Sequence, residues 1–176
     1  MRGFFVSIPR RCALSTEAVE DFHMATPEKP TLEITTDLSR IDLDRVHDWI
    51  ARKSYWAGEM PRHVFDRAVY GSICFGAIHK DLTVGFARVI SDRATFAYVS
   101  DVFVDPARRG IGIGKSIMAA VIVHPDLQDL RRWILGTRDA HGLYARYGFA
   151  SLAAPERIME RSDPEVYQRI AKALET

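Results

Sequence analysis

Arg108, Arg109 and the glycines at 110, 112 and 114 stand where an apolar stretch meets an amphipathic one, in Asp101-Val-Phe-Val-Asp-Pro-Ala-Arg-Arg-Gly-Ile-Gly-Ile-Gly-Lys-Ser116. A strand that runs into a glycine-rich helix start makes an anion site. Glycine lets the backbone approach a ligand, and the first helical N–H groups have no partner inside their helix. The helix dipole adds roughly half a positive charge there. The two arginines add full charges, so the chemistry expected is binding of a phosphate ester or pyrophosphate.

Two phosphate-binding patterns fail on spacing. A P-loop needs Gly-x-x-x-x-Gly-Lys-Ser/Thr. Gly114-Lys115-Ser116 is present, but Arg109 stands where the first glycine belongs. A dinucleotide fingerprint needs Gly-x-Gly-x-x-Gly. Counting from Gly110 the last position is Lys115, and from Gly112 it is Ile117.

A third pattern fits. Arg109-Gly-Ile-Gly112-Ile-Gly114 resembles the Arg/Gln-x-x-Gly-x-Gly/Ala signature of the GNAT N-acetyltransferase superfamily. Val104-Asp105-Pro106 before it and the helix after Gly114-Lys115 are similar to that family too. A second block, Ala140-His-Gly-Leu-Tyr144-Ala-Arg-Tyr-Gly148-Phe149, resembles the family's later Ala-x-x-x-Tyr-x-x-x-Gly-Phe segment. The likeness covers about residues 31 to 162, with both blocks in the family's order.

The resemblance implies an α/β (α+β) fold. It is a mixed, mostly antiparallel sheet of six to seven strands with helices on both faces, splayed at an acetyl-CoA site. The split would lie between the strands at 95–104 and 131–137. It implies direct transfer of acetyl from acetyl-CoA to a primary amine, with a small-molecule acceptor and no metal. Residues 110–115 (Gly110, Ile111, Gly112, Ile113, Gly114, Lys115) would hold the pyrophosphate, with Arg108 and Arg109 supplying charge. The backbones of Val102, Phe103 and Val104 would meet the pantetheine arm and the acetyl carbonyl. Thr137 would close the cofactor side.

Amine acetylation needs a base for the ammonium and an acid for the leaving thiolate. Tyr144 stands where the family often places its acid, and it would also touch the cofactor. A phenol and an alkyl thiol have similar unperturbed acidities, so that transfer is close to balanced. Asp101 is the expected base, with His141 and Asp139 as rivals. It is the carboxylate in the body of the central strand, where burial without a partner is costly. By alternation it shares a face with Val99 and Phe103. Many relatives carry a glutamate where this chain has Ser100, and an asparagine where it has Thr137. The acceptor would meet Tyr55, Trp56 and Glu59, with Asp101 and His141 nearby. Arg138 and Arg93 would favour an acceptor bearing a carboxylate. An acyl-CoA-binding module without turnover is the second reading, and nucleotide hydrolysis at the near-miss P-loop is the third.

The elements that must position these groups follow from pattern. Thr31–Thr36 alternates as a strand. Ser39 or Asp42 caps a helix whose apolar side carries Ile41, Val46, Trp49 and Ile50. A second helix covers 62–70 and stops at Gly71. Strands at 72–79 and 82–90 join through Lys80–Asp81, and Asp92–Arg93 turns into the strand 95–104. A helix runs from about 112 to 123 and ends at His124–Pro125. A strand at 131–137 and a short helix at 139–147 follow, with Gly148 closing the latter. Residues 149–152 and 157–160 read as a final hairpin. Asp163-Pro164-Glu165 starts a closing helix that reaches Leu174.

The composition agrees. A chain of 176 residues, 47% hydrophobic, has the length of one domain and can bury a core. A net charge of +1 gives no bulk support for nucleic-acid binding. Two cysteines, Cys12 and Cys74, exclude a disulfide framework and suit a reducing compartment, so a cytoplasmic setting is expected. No apolar run approaches the roughly 20 residues of a membrane helix, so no membrane partner is expected. A homodimer is compatible with the fold. Residues 1–30 read as a disordered extension with a faint targeting flavour from Arg10, Arg11 and Ser15, and Met24 as an alternative start; residues 31–176 read as one domain.

Overall fold

The computed structural model describes residues 32–174; the N-terminal extension, Cys12, Met24 and Thr31 lie outside the described residues. Five strands form one sheet in the order β1-β2-β3-β4-β5. They are β1 (Glu33–Thr35), β2 (Ile73–His79), β3 (Leu82–Ser91), β4 (Phe96–Val104) and β5 (Arg132–Leu135). All neighbours are antiparallel except β4 and β5, which run parallel. A parallel pair needs a crossover, and the helix α3 (Ile113–Ile122) supplies it.

Local chemistry sets the turns. Lys80 and Asp81 both take positive φ, 49° and 61°, as a two-residue hairpin turn of matching twist requires. The Asp92 carboxylate accepts hydrogen bonds from the Thr95 hydroxyl and from the N–H groups of Ala94, Thr95 and Phe96. These bonds, the Thr95 hydroxyl first, hold its carboxyl well below the usual carboxylate range. Asp42 caps α1 (Leu43–Lys53) by accepting from the Arg45 N–H, while Ser39 sits in the preceding 3-10 turn. The second helix, α2, spans Arg62–Tyr70 and ends at Gly71.

The helices cover both faces. α1 and α2 bury Val46, Trp49, Ile50, Phe65 and Val69 against Cys74, Phe86 and Phe103. On the other face α3 buries Ile113, Ile117, Met118 and Val121 against Phe75, Val84, Ala87, Val89, Ala97 and Val99. The short helix α4 (His141–Tyr144) joins this second core through Tyr144. Gly148, at φ 84°, ends the turn that follows α4.

Three expectations change. The sheet has five strands among the described residues, not six or seven. The segment 149–160 forms bends and a 3-10 turn at Pro155–Arg157 instead of a hairpin. Phe149 turns inward there, edge-on to both Trp133 and Tyr144. The alternation of β4 also breaks. Ala97, Val99, Val102 and Val104 pack on the α3 face, whereas Phe103 packs on the α1/α2 face. The cause is an extra residue in β4. Phe86 pairs with Phe103 but Arg88 pairs with Ser100, so Ala87 stands opposite two residues. Asp101, at φ 51°, sits in this bulge. It therefore shares a face with Phe103 but not with Val99.

Gly85 lets α3 lie close to β3. A Cβ there would come within 2.9 Å of Ile117 Cδ1 and 3.0 Å of Ile113 Cγ2. Gly85→Val is expected to lower stability by about 1–3 kcal/mol through overpacking, read as a lower urea midpoint with an unchanged slope.

Candidate active site

β4 and β5 part at the bulge. Their pairing runs from Phe96↔Arg132 to Val99↔Leu135 and stops there. Past Val99, β4 has no ladder partner on the β5 side, so polar backbone groups of the segment 102–104 face the gap. Both ends of that segment meet a concavity.

At the far end lies the glycine loop. The Asp105 N–H donates to Val84 O at 3.0 Å, which ties the strand end to β3. The Asp105 carboxylate accepts from the Ala107 N–H at 3.1 Å and from guanidinium nitrogens of Arg45 and Arg108, each at 3.0 Å. Burial pushes this carboxyl up, but those donors outweigh it and leave it below its ordinary range. Arg108 is thus anchored beside the loop. Arg109 donates Nε–H to Val104 O and lays its guanidinium over the Phe103 ring, 5.4 Å from the centroid.

Gly110 and Gly112 take φ of 85° and 98°, and Gly112 caps α3. No acceptor among the described residues takes the N–H groups of residues 110–115. Val104, Arg108, Arg109, Gly110, Gly112, Gly114 and Lys115 line a cavity of about 200 Å³ at this point. Unpaired amides, a helix N-terminus and three cationic side chains make a site for a multiply charged anion.

At the near end a second cavity, of about 380 Å³, opens between the strands. Tyr98, Ser100, Asp101 and Val102 of β4 form one side, and Gly136 to Ala140 the other. Tyr55 and Trp56, from the loop after α1, close it, and Tyr144 reaches in from α4. Trp56 donates its indole N–H to Asp101 Oδ1 at 2.9 Å. Tyr55 stands edge-on to Trp56, accepts the Arg138 N–H at 2.9 Å and carries the Arg138 guanidinium over its ring at 3.9 Å. Thr137 Oγ1 accepts the Ala140 N–H at 3.0 Å in the turn that leads into α4.

The sequence-predicted residues divide. Tyr55, Trp56, Asp101, Val102, Thr137 and Tyr144 meet in the second cavity, with Arg138 and Asp139. Val104, Arg108, Arg109 and the glycines meet in the first. Ile111 projects into solvent, so only its backbone faces the loop. Phe103 packs its ring on Trp49 and Trp56 and pairs its backbone with Phe86 of β3, so it is its neighbours in β4 whose polar groups face the gap. His141 lines a different cavity, with Trp133, Leu135, Phe149 and Leu152. Glu59 is exposed and lines neither cavity, and Arg93 pairs with Asp126 beyond the β3–β4 turn.

Arg88 was missed in the sequence. Its Nε–H reaches Asp101 Oδ2 at 2.5 Å, and its terminal nitrogens reach Ser72 Oγ at 3.2 Å and Ser100 Oγ at 3.4 Å. The signal was present in part: a charged residue inside an apolar strand, with an acid in the body of the next strand. Tyr98 was missed as well, although it alternates with Ser100.

Chemically, Tyr144 is the one buried hydroxyl group of the second cavity. Burial pushes its phenol up to about 12, with Tyr55 and Asp139 adding to the shift. No side chain or backbone group among the described residues hydrogen-bonds its hydroxyl. It therefore holds its proton at neutral pH and has it free to give. The cysteine of the described residues, Cys74, is buried, and burial pushes its thiol up to about 12, so it is no thiolate nucleophile at neutral pH.

Comparisons with known proteins bear on this arrangement. The acetyltransferase (GNAT) domain family matches residues 70–151. A GNAT-family protein from Xanthomonas campestris pv. campestris is 48% identical, covers 78% of this chain and 97% of its own, and superposes with a TM-score of 0.76. The chain belongs to the GNAT family. A candidate acetyltransferase of Gibberella zeae is 28% identical over 135 residues, 64% of this chain and 75% of its own. The aminoglycoside N-acetyltransferase AAC(6')-Iy, solved in complex with CoA, is 18% identical, covers 78% of this chain and 97% of its own, and has a TM-score of 0.55. At that identity the likeness is one of fold. Among the described residues no helix is long and apolar enough to cross a membrane.

Because the folded-state phenol of Tyr144 is raised, its contribution to stability is present below the unfolded value of 10 and fades as pH rises through about 12. The urea midpoint of the wild type is expected to fall more steeply over that alkaline range than that of Tyr144→Phe.

Proposed function

We propose that this GNAT protein transfers acetyl from acetyl-CoA directly to a primary amine of a small molecule. The observation that carries the reading is the segment of β4 left without a partner on its β5 side, with an anion loop at one end and a tyrosine-lined cavity at the other. The residues fit the cosubstrate. Six successive N–H groups and three cationic side chains suit a diphosphate, and the backbone groups that Val102 and Val104 turn to the open side of β4 suit the amide-bearing pantetheine arm. CoA is the ligand of the AAC(6')-Iy structure, which shares the fold.

In this reading the loop amides and Arg108, Arg109 and Lys115 hold the diphosphate. An N–H of the free β4 segment meets the acetyl oxygen and stabilises negative charge as the amine attacks the carbonyl carbon. The carbon–sulfur bond then breaks, and Tyr144 gives its proton to the departing sulfur. The same burial that raises the phenol also raises the thiol leaving beside it, so the near balance of their free acidities is kept. The attacking nitrogen loses its proton to Asp139 or to water. Tyr55, Trp56 and Tyr98 wall the acceptor side, and a cavity of about 380 Å³ suits a small molecule.

Incubation with acetyl-CoA and a panel of primary amines, followed by assay of free thiol, tests the reading. Turnover on at least one amine is expected; tight CoA binding with no turnover on any would favour a non-catalytic binding module. Tyr144→Phe is expected to lower kcat by about 10²–10⁴-fold with little change in CoA affinity. Gly112→Asp puts a side chain at φ 98° and a negative charge at the helix start, and is expected to weaken CoA binding by roughly tenfold or more in calorimetric titration.

A further inference from the structure

Asp101 is more fully engaged than a proton acceptor needs to be. Only 5% of the residue is exposed, and each carboxylate oxygen already accepts a hydrogen bond. One comes from the Trp56 indole at 2.9 Å and the other from Arg88 at 2.5 Å. Arg88 lies in the middle of β3 with its side chain 11% exposed. Its three bonds tie Asp101, Ser100 and Ser72 together. In a regular strand Ser100 and Asp101 would point to opposite faces. Here both meet Arg88, because the bulge turns Asp101 to the α1/α2 face. Tyr167 of α5 (Val166–Leu174) and Cys74 of β2 are the other titratable groups that feel this pair. Trp56 is the outer end of the chain of contacts. It is 41% exposed, it lies on the loop after α1, and no other hydrogen bond fixes its ring.

Resting on the acetyl-transfer reading above, we propose that Arg88 and Asp101 are a positioning pair. They clamp the Trp56 indole as the fixed wall of the acceptor pocket, and Asp101 does not remove the amine's proton. A carboxylate whose charge is matched by an arginine, and whose oxygens are both taken, is suited to hold a neighbour in place. The loop backbone is tied down by Glu59 N–H to Ala51 O and Ala57 N–H to Ser54 Oγ, and Tyr55 by Arg138, so what the Asp101 bond adds is the orientation of the half-exposed Trp56 ring. The clamp makes these aromatic faces a preformed surface against which an amine-bearing molecule packs. Acceptor recognition thus depends on Arg88, a residue that touches neither acceptor nor cosubstrate.

The test uses the full chain labelled with ¹⁵N at the indole nitrogens. The sequence has three tryptophans, so three side-chain resonances arise, and Trp56→Phe assigns the one that disappears. In Asp101→Asn and Arg88→Gln the Trp56 resonance is expected to shift, and its exchange with solvent to speed up about tenfold, while the other two stay in place. In steady-state kinetics Trp56→Phe and Asp101→Asn are expected to raise the acceptor KM roughly tenfold, with kcat and the acetyl-CoA KM changed less than about threefold. The acid limb of the kcat/KM profile stays where it is in Asp101→Asn. Loss of that limb, or a large fall in kcat at unchanged acceptor KM, would make Asp101 the base and overturn the proposal. So would a Trp56 resonance that does not respond to Asp101→Asn. If Arg88→Gln does not fold, the two conservative variants decide. If no amine turns over, the acetyl-transfer reading fails, while the indole resonance still answers for the clamp.

Discussion

One bulge governs the geometry of this protein. The extra residue in β4 opposite Ala87 does two things at once. It rotates the strand so that Phe103 leaves the α3 side and joins the core under α1 and α2. It also bends β4 away from β5, whose ladder ends at Val99↔Leu135. A positive φ on a non-glycine residue costs on the order of 1 kcal/mol or more. The buried contact from Asp101 to Arg88 holds the chain in that conformation. Breaking such a pair by removing one partner costs about 3–5 kcal/mol, because it leaves a buried charge alone. The strain and the ion pair are therefore a single feature of the fold.

The free segment that results is also a ruler. Val102 to Val104 spans about 10 Å of extended chain. Its ends are pinned independently. At one end the Asp105 N–H is tied to Val84 O, and its carboxylate to Arg45 and Arg108. At the other, Asp101 is tied to Arg88 and Trp56. Anion loop and acceptor cavity thus keep a constant separation and a common side. Tyr144 comes from across the gap on α4, which is held by the Thr137–Ala140 bond in the turn before it and by the edge-on contact of Tyr144 with Phe149. A cosubstrate with a diphosphate at one end and a reactive thioester at the other would find both ends set before it binds.

What the sequence revealed was local, and what it hid was not. Glycines at positive φ, the Lys80–Asp81 turn, the Asp42 cap and the limits of α2 depend on residues within a few positions of each other. They were readable for that reason. The glycine loop was readable with them, since its amides are free by virtue of standing at a helix start. The bulge was not readable. It is a mismatch between two strands, and it places a residue with a Cβ where glycine would be expected. Alternation therefore put Asp101 beside Val99, which the added residue turns to the other face. Arg88 was hidden similarly, because its value lies in a partner 13 positions away in the chain. The segment 149–160 has enough apolar residues to suggest strands. Phe149 spends its ring on Trp133 and Tyr144, and Pro155 begins a 3-10 turn.

The charges around the second cavity come in pairs, and that narrows how an acceptor can be recognised there. Asp101 is matched by Arg88, and Asp139 stands 3.7 Å from Arg138 at the rim. Matched pairs leave little net field to draw in an ion from a distance. The unmatched features are aromatic: Tyr55, Trp56, Tyr98 and Tyr144 face the same space. Ring faces attract a cationic amine only at short range, within about 6 Å. They also favour flat or aliphatic groups by burial. Under the proposed reading, selectivity then lies in the shape between those rings and in how firmly they are held. The shape in turn goes back to the bulge, since the carboxylate that bonds the Trp56 indole is the side chain of the bulged residue itself.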